Sequence, residues 1–174
     1  ANMLTRHLKI KSYTMNIREA VTGINNQFPD DIKISDQTTI NLPARIRMAT
    51  LYAISQSLNG RVVNTCNMSE SYVGFDTRYG DSAGDLSPLA NLTKTEVIAL
   101  AKELGLPDEL VHKTPQDGLT GLTDEQSFGF SYAELDKYIR DGIEPSEEVK
   151  AKIDSMHKKN MFKLQPMPSF VYQA

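Results

Sequence analysis

One junction constrains this 174-residue chain more than any other. An apolar stripe at helical spacing runs into Asn59-Gly60 and then, with no linker, into the β-branched run Arg61-Val62-Val63-Asn64-Thr65. Ala44, Met48, Leu51, Ser55 and Leu58 recur at steps of three and four, which gives a helix one buried face. Asn41 is a suitable N-cap, and Pro43 suits a first turn, where its missing N–H is no loss. Asn-Gly readily takes the left-handed backbone that stops a helix. The β-branched run reads as a buried strand. Helix–strand–helix alternation of this kind argues for an α/β fold with a parallel sheet, in which ligands sit beyond the C-terminal strand ends. Thr65 and the residues after it stand at such an end.

The flanking elements fit the same alternation. Leu8 to Ile17 alternates imperfectly as a strand does, Ile17 to Ile24 suits a helix, and the polar stretch Asp30 to Thr39 suits a loop. A Gly/Asp-rich loop spans Thr77 to Asp85. Thr93-Lys-Thr-Glu96 and Ser131-Tyr-Ala-Glu134 are capping boxes. The first opens a helix with Val97, Leu100, Ala101 and Leu104 on one face, stopped by Gly105 and Pro107. The second opens a helix reaching the region of Arg140. Lys113 to Thr123 has the composition of a long mobile loop, and Ser146 to Lys159 that of a charged, mostly solvated helix. The chain from Phe162 onward is expected to be extended.

Composition narrows the function classes. Length favours one domain over residues 1–174. A net charge of −3 and a pI of about 5.6 argue against a general nucleic-acid binder. Cys66 is the one cysteine, so no internal disulfide can form, and a reducing compartment fits. No apolar run approaches the roughly 18 residues of a membrane helix, and Ala1 to Ile10 lacks a signal-peptide core. The expectation is a soluble, cytoplasmic protein without nucleic-acid or membrane partners. Ala1-Asn2 does not read as a natural start; a cloning scar or a truncation point is expected there.

Several residues could carry chemistry. In Thr65-Cys-Asn-Met-Ser-Glu70 a hydroxyl leaves the strand end and a carboxylate follows at a helix start. Such a glutamate is ordinarily a dipole partner; alternatively it is a magnesium ligand that shares the ion with nucleotide phosphate. Phe75 to Asp85 gathers Asp76, Arg78, Gly80, Asp81 and Gly84. It is an ordinary polar turn or a loop closing on a ligand, and it lacks the EF-hand ligand spacing. Arg45 and Arg47 lie about 200° apart on their helix, so at most one faces a given site, and either is ordinarily a surface cation. Lys94 at a helix start opposes the dipole, which a bound phosphate would explain; solvation is the alternative. Lys113 reads as solvated. His7, His112 and His157 have no metal-ligand spacing, and no Ser-His-Asp arrangement follows from spacing.

Taken in order, these segments resemble the ammonia-dependent NAD synthetase family. They are Asn41-Leu-Pro-Ala-Arg-Ile-Arg-Met48, Asn64-Thr-Cys-Asn-Met-Ser-Glu70, Gly74-Phe-Asp-Thr-Arg-Tyr-Gly-Asp81 through Asp85, Leu92-Thr-Lys94, Lys113-Thr-Pro-Gln-Asp-Gly-Leu119, Thr123-Asp-Glu125 and Gly129-Phe-Ser-Tyr132. Each is weak alone; the ordered set is specific and runs from about Leu8 to Phe170. The resemblance implies an adenine-nucleotide α-hydrolase fold, a Rossmann-like parallel sheet flanked by helices, and a homodimer with the substrate site at its interface. It implies ATP-dependent amidation of deamido-NAD. The nicotinate carboxylate attacks the α-phosphorus of ATP and releases pyrophosphate. Ammonia then attacks the acyl-adenylate, giving NAD and AMP. The glutaminase domain of the longer, glutamine-using relatives is absent from these residues, so free ammonia is the implied donor.

By position the resemblance assigns Thr65, Lys94 and Gln116 to ATP and Glu70 to Mg2+. Arg45, Tyr52, Phe75, Arg78, Asp85 and Lys163 are assigned to deamido-NAD, which selects Arg45 over Arg47. Tyr52 is alternatively a half-buried helix aromatic. Arg78 stands where many relatives have lysine, Gln116 where many have threonine, and Phe162 where histidine is frequent. The family's N-terminal strand and its Ser-Gly-Gly-x-Asp-Ser pyrophosphate loop do not occur in these 174 residues. On its own the chain is therefore expected not to turn over. A catalytically incomplete dinucleotide-binding or dimerisation fragment is the alternative. Another ATP pyrophosphatase, such as a tRNA-modifying relative, fits the acidic pI and the Phe75–Asp85 segment less well. The assignment requires Thr65, Glu70 and Lys94 to converge on one nucleotide.

Overall fold

The computed structural model describes residues 2–116 and 121–172. Among them are nine helices: α1 Asn2–His7, α2 Arg18–Asn25, α3 Asp36–Ser57, α4 Met68–Val73, α5 Lys94–Glu103, α6 Asp108–Val111, α7 Asp124–Phe128, α8 Tyr132–Asp141 and α9 Glu147–Leu164.

Local sequence explains most helix starts. Both expected capping boxes form: Thr93 with Glu96 opens α5, and Ser131 with Glu134 opens α8. Two more, Asn67 with Glu70 and Thr123 with Gln126, open α4 and α7. In each, the cap side chain accepts an orphan amide and the third residue's side chain accepts the cap's own N–H. Helix α4 ends at Gly74, whose φ of +68° is the left-handed C-cap conformation. A Cβ there would also lie 2.2 Å from Asn160 Cβ, so glycine is required twice over.

The core lies where α4, α8 and α9 meet. Val73, Phe128, Phe130, Tyr132, Leu135 and Ile153 are buried together. The Phe128 ring stacks on Phe130 with centroids 5.3 Å apart and meets Tyr132 edge-on at 5.4 Å. Tyr72, Val149 and Met156 pack around this cluster.

Several expectations need correction. Helix α3 starts at Asp36, not near Pro43, because Ser35 caps it by accepting the Thr38 amide at 3.1 Å. Pro43 therefore lies inside the helix, and Asn41 is not its cap but a side-chain acceptor for Thr77 Oγ1 at 2.9 Å. Of the α3 stripe only Ala44 is buried, while Leu51 and Leu58 are 53% and 62% exposed. Helix α9 is charged and mostly solvated as expected, with Ile153 its one buried residue, but it extends through Phe162 to Leu164, so the chain is not extended from Phe162 onward. Leu8 to Ile17 is no strand; Leu8, Ile10, Tyr13 and Met15 are exposed, with nothing in the described residues to pair them into a sheet. Within Lys113–Thr123, residues 117–120 lie outside the described set; on either side Gln116 and Thr123 form an antiparallel bridge.

The expected parallel sheet is represented, among the described residues, by one parallel bridge between Val63 and Leu86. Asn64 N donates to Leu86 O at 2.8 Å, and Asp85 N donates to Val62 O at 2.7 Å. Val62 and Asn64 are buried while Val63 is half exposed, so the run alternates across two faces as a strand does.

Packing implies a clear contrast in stability. Leu135→Ala or Ile153→Ala should lower the unfolding free energy by about 2–5 kcal/mol, whereas Leu51→Ala should change it by less than about 0.5 kcal/mol. Urea unfolding of the three variants measures this, and equal losses would refute the placement of the core.

Candidate functional site

Helices α4 and α5 bring their first turns together. Glu70 is the third residue of α4 and Lys94 the first of α5. Lys94 Nζ lies 3.0 Å from Glu70 Oε1, with the two side chains only 19% and 18% exposed. The other Glu70 oxygen accepts the Asn67 amide at 3.2 Å, so the capping-box role and the ion-pair role coexist. The Lys94 ammonium also sits 5.1 Å from the Tyr132 ring centroid, a cation–π distance. Glu70 and Lys94 line a cleft together with Ile98, Ala101, Lys113, Gln116 and Asp124. Of the expected nucleotide contacts, the fold thus gathers Glu70, Lys94 and Gln116. Thr65 is exposed at the end of the bridged segment, two residues before the α4 cap, and is not part of that lining.

A second group surrounds the loop after α4. Arg45 Nε donates to the Arg78 carbonyl at 3.3 Å, and the Arg78 guanidinium lies over Tyr79 and Phe162 at 5.0 and 5.4 Å. Phe162 and Arg78, each expected from the resemblance to be a departure, thus meet each other. Lys163 donates to the carbonyls of Gly74 and Asp76, both at 2.7 Å, and pairs with Asp76 at 3.5 Å. Its ammonium is here engaged by protein oxygens. Tyr52 is half-buried on α3, seven residues from exposed Arg45 and so on the same helix face. Phe75 packs edge-on against Phe128 at 4.6 Å, at the rim of the core. Asp85 is exposed, yet its Oδ2 accepts the Val62 amide at 2.7 Å, which pins the loop to the bridged segment.

Asn64 holds that loop from below. Its Nδ2 donates to Asp81 O at 2.7 Å, while its Oδ1 accepts from Cys66 N and Ser87 Oγ, both at 2.9 Å. A Cβ on Gly84 would come within 2.7 Å of Asn64, so the close approach needs glycine.

Burial sets the charge states nearby. Desolvation, then the neighbouring Asp81 carboxylate, pushes the Cys66 thiol up to about 12, so it stays a neutral, unreactive side chain. Burial, followed by the charges of Glu70 and Asp124, pushes the Tyr132 hydroxyl far above its ordinary range; it remains a donor, to Asp124 Oδ2 at 2.9 Å. Burial likewise raises the Asp76 carboxyl, and the Lys163 charge only partly offsets this. At 3.5 Å Lys163 reaches Asp76 Oδ1 as an ion pair without a close hydrogen bond, leaving that buried oxygen with no short donor.

Among the described residues no three His, Cys, Asp or Glu side chains cluster to hold a metal ion. Magnesium, however, is commonly bound by one or two carboxylates together with substrate phosphates. Glu70, with its carboxylate on the cleft wall, fits that pattern as a single protein ligand.

Sequence reasoning passed over Ser69, Asp124, Tyr132 and Asp136. Asp136 is 5% exposed and accepts from Ser69 Oγ at 2.5 Å and Thr95 N at 2.7 Å, and also from Thr95 Oγ1. The available signal was spacing: Tyr132, Leu135, Asp136 and Ile139 share one face of α8, so an aspartate falls within the apolar stripe.

An NAD synthase family model matches residues 1–167. The NH(3)-dependent NAD(+) synthetase of Carboxydothermus hydrogenoformans is 37% identical, over 94% of this chain and 68% of that protein. The enzyme of the same name from Malacoplasma penetrans is 36% identical, over 91% of this chain and 63% of its own length. The chain thus spans about two thirds or less of the curated relatives it matches. A solved structure described as NMN synthetase from Francisella tularensis superposes with a TM-score of 0.90 at 33% identity, covering 97% of this chain and 70% of that one.

The Asp76 environment gives a pH-dependent outcome. Its folded pKa is raised above the ordinary 3.8, so the folded state holds the proton more tightly. Stability from this group is therefore greatest below 3.8 and declines as pH rises toward the folded pKa. Asp76→Asn should be more stable than the parent at neutral pH, and the two should converge below 3.8. Thermal melts across pH measure this, and a pH-independent gap would contradict it.

Proposed function

Because the chain belongs to the NAD synthase family, we propose that it carries the greater part of an ATP-dependent ligase site. That ligase amidates deamido-NAD with ammonia through an acyl-adenylate and releases AMP and pyrophosphate. The half-buried Glu70–Lys94 pair on the cleft wall carries this reading. A salt bridge this shielded holds a lysine in place before any ligand arrives, so it can be handed from carboxylate to phosphate at small reorganisation cost. Gln116, which lines the same cleft, adds an ATP contact there, and Thr65 adds one from outside that lining. Magnesium, when bound, neutralises the charge that develops on pyrophosphate. Glu70 would hold that ion, and Lys94 would hold the triphosphate.

The grouping of Arg45, Arg78, Phe162 and Lys163 around residues 74–79 supports a deamido-NAD surface, with Tyr52 and Phe75 flanking the nicotinate ring and Asp85 holding the loop. The Val62–Asn64 segment is one strand of the parallel adenine-nucleotide α-hydrolase sheet in this reading. The exposed Leu51 of α3 and Leu58 just after it fit a homodimer contact that places the substrate site at the interface. No described helix is long and apolar enough to cross a membrane.

Two other readings have their own support. The chain covers only part of its relatives' length, which fits a catalytically incomplete dinucleotide-binding or dimerisation fragment. The superposition on a protein described as NMN synthetase fits a mononucleotide substrate.

Exchange of labelled pyrophosphate into ATP separates them. Exchange that depends on deamido-NAD supports the ligase. Exchange with nicotinate mononucleotide in its place supports the third reading. Deamido-NAD binding without exchange supports a dinucleotide-binding fragment, and failure to bind either nucleotide overturns every reading but a dimerisation fragment, which a monomeric chain in sedimentation would overturn in turn. Lys94→Ala should weaken Mg-ATP binding by about tenfold or more, read by calorimetric titration.

A further inference from the structure

Lys94 begins a helix, where the dipole disfavours a cation, yet its ammonium is held on Glu70 and over Tyr132. The reason lies behind it. The Lys94 amide donates to Ser69 Oγ at 2.9 Å, and Ser69 Oγ donates to Asp136 Oδ1 at 2.5 Å. The next amide, of Thr95, donates directly to Asp136 Oδ2 at 2.7 Å, and the one after, of Glu96, to Thr93 Oγ1 at 3.3 Å. All three leading amides of α5 are therefore satisfied inside the protein. A phosphate approaching this helix start cannot use them and must be met by the Lys94 side chain.

The geometry points to Asp136 as the positioning residue for Lys94: its buried carboxylate, acting through Ser69 and Thr95, fixes the first turn of α5 so that the ammonium faces the nucleotide cleft. Two features make this more than a structural cap. Asp136 places negative charge behind the positive helix end, offsetting the dipole that opposes Lys94. Tyr132 lies four residues earlier on the same face of α8, so one helix face holds both the backbone of Lys94 and, through the ring, its ammonium. Tyr132 is itself held by its hydrogen bond to Asp124 on the cleft wall. The assignment of Lys94 to phosphate rests on the function proposed above; the hold of Asp136 on Lys94 does not.

The test uses Asp136→Asn, which keeps the shape but loses an acceptor, and Ser69→Ala, which removes the hydroxyl joining Asp136 Oδ1 to the Lys94 amide and leaves the Thr95 bonds to Asp136 in place. The NMR resonance of isotope-labelled dimethyl-Lys94, identified by its loss in Lys94→Arg, reports the position of the ammonium without any nucleotide. Both variants should shift it while core methyl resonances stay in place. Asp136→Asn should also weaken Mg-ATP binding about tenfold in the parent, but less than about twofold when Lys94 is already alanine. An unmoved Lys94 resonance, or an equal loss of affinity in both backgrounds, overturns the proposal. Should Asp136→Asn not fold, Ser69→Ala decides by the same resonance. A parent chain that does not bind Mg-ATP would refute the nucleotide site, while the resonance still decides the role of Asp136.

Discussion

A buried carboxylate on α8 organises this molecule. Asp136 accepts a hydroxyl from α4, an amide from α5 and a second hydroxyl from α5, and so ties three helices at one point. A buried acceptor left without donors costs about 1–3 kcal/mol, and more when charged, so these helices cannot slide independently. The aromatic and aliphatic core below supplies the burial energy, but it is non-directional. Orientation comes from Asp136, and orientation decides whether Glu70 and Lys94 face each other or face solvent.

That arrangement also explains how a cation is tolerated at a helix start. Removing one member of a shielded pair is costly, because the other charge is left poorly hydrated. The Glu70–Lys94 pair is therefore a stable resting state, and in the proposed function a metal–triphosphate group would satisfy both partners, phosphate oxygen pairing with Lys94 and the cation with Glu70. Arg78 in turn gains an aromatic face by lying over the Phe162 ring.

Local signals were the legible ones. The capping boxes at Thr93 and Ser131, and the stop at Gly105, were readable because each depends on a few neighbouring residues. The chain order of Glu70, Lys94 and Gln116 was readable, and the fold brings them to one cleft. Non-local features were not. Pro43 suggested a helix start, yet Ser35 with Thr38 capped the helix earlier, and a single proline did not stop it. The charged composition of α9 concealed Ile153, since one buried residue per few turns suffices to anchor a helix on a core. The alternation in Leu8 to Ile17 predicted a strand, but a strand requires a neighbour, and the described residues supply none. Asp136 was missed because an aspartate inside an apolar stripe looks like an imperfection until its partners are known.

The central claim is that Lys94 and Glu70 form a preset contact for a metal–triphosphate group. A crystal structure of the protein with magnesium and a non-hydrolysable ATP analogue tests it most directly. The expected result is a phosphate oxygen within hydrogen-bonding distance of Lys94 Nζ, with the Glu70 carboxylate released toward the metal. A nucleotide bound elsewhere, with the Glu70–Lys94 ion pair intact at its present 3.0 Å, would contradict the account.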